Sequence, residues 1–113
     1  MSILNDVKHK IGPSGDYDYY DLDIMDAINS AFGTLTQLGV GPAAGFSITG
    51  DVEDWTEFSH DPVVLNLTKD YVYKKVRLIF DPPNGSILSE FREQMKELEF
   101  RLSVQCDPGK ESS

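Results

Sequence analysis

Apolar residues recur every three or four positions through most of this chain, and the rhythm breaks at Gly, Pro and Asn-Gly. Leu4, Val7 and Ile11 stand at i, i+3 and i+7 behind Ser2, a capping residue, and Gly12-Pro13 close the run, so a short first helix is predicted. A longer helix is predicted from Asp21, as N-cap, to Leu38. In it Ile24, Ile28, Ala31, Phe32, Leu35 and Leu38 keep helical spacing, and Gly39 takes the left-handed position after the end. Asp61 as N-cap and Pro62 at the first helical position open a third helix that Asp81-Pro82-Pro83 stop after Phe80. Its apolar residues form two stripes, Leu65, Val72, Val76, Ile79 and Leu67, Tyr71, Leu78, as expected of a central helix between neighbours. After Asn84-Gly85, Ser86 starts a last helix to about Val104, with Leu88, Phe91, Met95, Leu98 and Leu102 in heptad register. That seam is too short for a free coiled coil and docks either on the domain or on a partner.

Between these helices the pattern changes character. Residues 13–20 read as an acidic, aromatic turn. Gly39 to Gly50 holds four glycines and a proline, which forbid a helix, yet Val40, Phe46 and Ile48 call for burial. This apolar loop folds back on its own core or packs on a neighbouring copy. Asp51 is the expected cap of a short helical turn reaching Phe58, with Asp54 as capping partner and Trp55 and Phe58 facing inward. The prediction is an all-α fold, a small bundle of four to five helices with a Gly-rich apolar loop. Residues 1–105 form one helical domain and 106–113 a flexible tail.

Composition agrees with a folded body. A chain of 113 residues can bury roughly two-thirds of its unfolded surface, and twelve aromatic residues supply core material. No apolar run approaches the roughly 18 residues that a membrane helix needs. The opening Met-Ser-Ile-Leu-Asn-Asp lacks a secretory pattern, and the single Cys106 has no disulfide partner, so a reducing, intracellular origin is expected. The net charge of −9 disfavours nonspecific binding to nucleic acid or anionic lipid. Its distribution is uneven: from Ile11 to Thr68 there are ten acids and no Lys or Arg, while the remainder carries all ten bases against nine acids.

Candidate chemistry is sparse. The acids from Asp16 to Asp26 lack the Gly and Glu that a calcium loop requires at its sixth and twelfth positions, which here are Asp21 and Ala27. The glycines after Leu38 match neither a dinucleotide fingerprint nor a P-loop. His9, His60 and Cys106 offer no nucleophile, base and orienting group at any recognised spacing. No catalytic residue, cofactor or metal ligand is therefore expected, and the chain reads as a protein that works by assembly. The acidic segment, Asp16, Asp18, Asp21 and Asp23, is expected to face Lys74, Lys75 and Arg77 of the next copy, with Phe46 and Ile48 in the same subunit interface. A second reading is an acidic DNA mimic that inhibits a basic nuclease or regulator. That reading favours evenly spaced carboxylates, whereas these cluster in 16–26 and 51–61.

Four blocks, in order along nearly the whole chain, carry a resemblance: Ile3-Leu-Asn-Asp-Val-Lys8, Gln37 to Ile48, Tyr71 to Pro83 and Glu97 to Val104. Together they resemble the head-tail connector (adaptor) proteins of tailed bacteriophages and Gram-positive prophages. The resemblance implies a structural virion protein of the neck, assembled in the bacterial host cytoplasm, in a ring of about a dozen copies. It implies docking on the portal protein, a platform for a stopper or tail-completion protein, and DNA passing through the channel without specific binding. It also implies that the last helix reaches the portal, which makes Phe91, Met95, Leu98, Arg101 and Leu102, with the tail from Cys106, the expected portal contact.

Overall fold

The computed structural model describes residues 2–12 and 20–106, which form four α-helices and one 3-10 turn, with no strand among the described residues. The predicted turn at 13–20, all but Tyr20, and the tail from Asp107 lie outside the described residues. Helix α1 spans Ile3–Ile11, α2 Asp21–Gln37, α3 Pro62–Phe80 and α4 Gly85–Gln105, with the 3-10 turn at Trp55–Glu57.

Local end signals set most boundaries. The Ser2 hydroxyl accepts the Asn5 N–H at 3.2 Å, and Asp6 in the first turn of α1 opposes Lys8, His9 and Lys10 in the last, as the helix dipole favours. Asp61 Oδ1 accepts the Val63 N–H at 2.9 Å, with Pro62 filling the first position of α3, where its missing N–H costs nothing. Past α2, Gly39 lies at φ +81° while the Val40 N–H bonds Leu35 O and the Gly39 N–H bonds Thr36 O, the two bonds of a Schellman ending.

Two expected caps move. Tyr20, not Asp21, holds the N-cap position of α2; Asp21 is instead the first helical residue and pairs with Lys8 Nζ at 2.7 Å, tying α2 to α1. Asp54, not Asp51, caps the 3-10 turn. Its Oδ1 accepts the Trp55 N–H at 2.6 Å, and Glu57 Oε2 returns the favour to the Asp54 N–H at 2.7 Å. The turn starts late because Glu53 is already engaged: its Oε2 accepts both the N–H and the hydroxyl of Thr49 at 2.8 Å.

Helix α3 is central, packed against α1, α2 and α4. Its buried face is one broad stripe of Val64, Thr68, Tyr71, Val72 and Val76, lying between the two expected stripes. Ile79, placed in a stripe by spacing alone, is 58% exposed; at that end the contact passes to Phe80, half-buried and 6.4 Å from the ring of Tyr20. The α4 seam closes on α3 of its own chain: Phe91, Met95, Leu98 and Leu102 are buried, and Leu88 is half-buried at its start. The body is a slab of 47 × 36 × 20 Å.

The apolar loop also turns inward. Val40 and Ile48 are buried, and Phe46 lies edge-on to Phe32 at 4.9 Å and to Phe58 at 5.5 Å. With Phe32 and Phe58 at 5.0 Å and Trp55 at 6.3 Å from Phe32, these rings form one aromatic knot. Asn29 of α2 fixes the loop by gripping the Ile48 backbone. Its Oδ1 accepts the N–H at 2.7 Å and its Nδ2 donates to the carbonyl at 3.0 Å. Gly41 is required where it stands, since at φ +88° an added Cβ would fall 2.4 Å from the Phe58 ring.

Candidate interaction surfaces

The residues singled out by sequence do not converge on one site. Asp16 and Asp18 lie outside the described residues, while Asp21 is half-exposed in its pair with Lys8 and Asp23 is exposed on α2. Phe46 and Ile48 are spent inside the protomer, in the knot just described. Lys74 pairs with Asp70 one turn back and stands over the Phe91 ring at 5.7 Å; Arg77 lies over the same ring at 5.4 Å and bonds the Asp81 carbonyl at 3.2 Å. Both cations therefore help seat α4 on α3. Lys75 makes no ion pair among the described residues.

Of the five residues expected at the portal, only Arg101 is exposed, paired with Glu97 at 2.8 Å. Phe91, Met95, Leu98 and Leu102 face α3 and support α4 from beneath. A polar latch joins the same two helices: the buried Tyr71 hydroxyl donates to Glu99 Oε2 at 2.7 Å. Burial, and then the Glu99 carboxylate, push that phenol well above its ordinary range.

Sequence reasoning overlooked a groove between α3 and α4, lined by Val63, Leu67, Phe100, Arg101, Val104 and Gln105. Val63 is 51% exposed, Phe100 69% and Val104 42%. A signal existed, because Phe100 and Val104 are apolar yet fall outside the seam register of Leu88 to Leu102. Val52, 78% exposed, was overlooked as well; it projects from the stretch whose Glu53 carbonyl accepts the Ile3 N–H at 2.9 Å.

Reactive groups stay apart. His9 and His60 are exposed, and no group of His, Cys, Asp and Glu suited to a metal ion occurs among the described residues. Burial, then the charge of Asp61, raise the Cys106 thiol, opposite to what a reactive thiolate needs. No described helix is long and apolar enough to cross a membrane. The surface that results is one of helical faces with exposed apolar side chains, suited to contact with other proteins.

No curated protein and no solved structure shows a significant match to the chain. The family model for phage connector proteins matches residues 3–109, from the first residue of α1 to beyond the last of α4. The four-helix fold in its entirety falls within that match, and the chain belongs to the phage connector protein family, as a structural component of the virion that contacts other virion proteins.

Proposed function

We propose that the chain is an adaptor subunit of the head-tail connector. About a dozen copies form a closed ring that docks on the portal of the DNA-filled head and presents a platform to a stopper or tail-completion protein. DNA passes through the ring without specific binding. The observation that carries this reading is the family match across all four helices. The surface is consistent with it in two respects. Cations, the groups that grip phosphate, are missing from Ile11 to Thr68, so the acidic part of the protomer slides past DNA rather than holding it. Lys75 is left by its own fold for an acid of a neighbouring copy. The seam residues of α4 act indirectly, by holding the outer face of that helix in place.

Portal complexes purified with and without the protein test the reading. Addition should raise the complex mass by a whole number of copies and add a ring of density below the portal. A portal that takes up none of the protein at any concentration overturns it.

A further inference from the structure

We propose that Val52 of one copy seats in the α3–α4 groove of the next copy, making a repeated head-to-tail contact. This rests on the connector reading above and names the surfaces that build the ring.

Val52 is an apolar knob in an acidic collar: Asp51, Asp54 and Glu57 around it are exposed. The groove is apolar, with Val63, Leu67, Phe100 and Val104 in its walls, and its one charged lining residue is the cation Arg101. Knob and groove therefore match in shape class and in sign of charge. Arg101 keeps N–H donors beyond the one it directs to Glu97, in a pair that solvent screens on both sides. One protomer cannot satisfy itself. The knob is anchored to the start of α1, which packs on α2 and α3, whereas the groove lies between α3 and α4 and no residue from 39–57 lines it. Two different patches on different elements make a heterologous contact, the kind that closes into rings or runs on as filaments.

The size of the patch fixes its strength. The exposed apolar area of the groove is on the order of a few hundred Å², against roughly 800 Å² per partner in a stable standard interface. A pair of copies is thus weakly held in dilute solution. The contact gains persistence where each copy touches two neighbours and a common scaffold.

Cysteine pairing tests the contact. Val52→Cys and Val63→Cys are combined in a Cys106→Ser chain; both sites are exposed valines, so the changes leave the core intact. Under mild oxidation, concentrated protein and isolated connector particles should both yield a ladder of dimers, trimers and higher species, because every copy carries both halves of the joint. Val52→Cys without Val63→Cys should give none. In the double variant, Arg101→Glu should lower the ladder yield several-fold at low salt. Particles that contain the double variant but release only monomer overturn the proposal, as would dimers from Val52→Cys alone, which would signal a self-complementary contact. Failure of the unmodified protein to enter particles at all would instead reject the connector reading, so the two are told apart.

Discussion

Helix α2 and helix α4 are of similar length but are held in opposite ways. Around α2 lie α1, α3, the 39–50 loop and the 3-10 turn, and Phe32 touches three aromatic rings at once. Helix α4 leans chiefly on α3 through four buried side chains, one phenol-carboxylate latch and two cations over Phe91. The first arrangement spreads the load over many non-local contacts. The second concentrates it in one seam, leaving most of the α4 circumference for other molecules.

The sharpest way to probe that contrast is to remove its two anchors. Phe32→Ala should cost about 3–5 kcal/mol and lower stability globally, read by chemical denaturation, because the aromatic knot loses its hub. Leu102→Ala should cost about 2–4 kcal/mol, with amide exchange accelerated chiefly along α4. Uniform exchange along α2 and α4 in that variant would erase the distinction.

Tyr71→Phe should cost about 1–3 kcal/mol, since it removes the donor from a half-buried Glu99 carboxylate. The same phenol gives a pH signature. Its folded pKa lies above the unfolded value near 10.0, so the folded state retains a proton that the unfolded chain has lost. The stability contributed is complete below that value and falls as pH rises beyond it. A melting-temperature profile should decline on the alkaline side, and Tyr71→Phe should flatten the decline.

The smallest expected effect is at Glu53, whose carboxyl is held below its ordinary value by the Thr49 hydroxyl and then the Thr49 N–H. Here the sign reverses: the contribution is present above the ordinary carboxylate value and is lost as pH falls through the folded one. Glu53→Gln should reduce the acid sensitivity of the 49–53 turn, read by exchange at the Thr49 amide, and should leave α4 untouched.

Much of the scaffold was legible because its signals are local. Ser2, Gly39 and the Asp61-Pro62 pair each declare a helix end within a few residues, and the structure puts a cap or a left-handed glycine at each. The heptad residues of α4 likewise marked its buried face. What stayed hidden depends on partners distant in sequence. Asn29 looks like an ordinary polar position on α2 until Ile48, 19 residues on, arrives between its amide atoms. Val64 and Thr68 were missed because α3 has neighbours on several sides, and the buried arc follows from where those neighbours sit. The groove was hidden for the same reason: it belongs to neither helix, only to the way α4 crosses α3.

The slab is 20 Å thick, about two helix diameters. Helix α3 is thereby a party wall, with tenants on both sides: Tyr71 reaches toward α4 while Val72 and Val76 belong to the core shared with α1 and α2. A load applied to either broad face meets the same beam, so a tilt of α3 imposed from one side is delivered to the other without any intervening layer to absorb it.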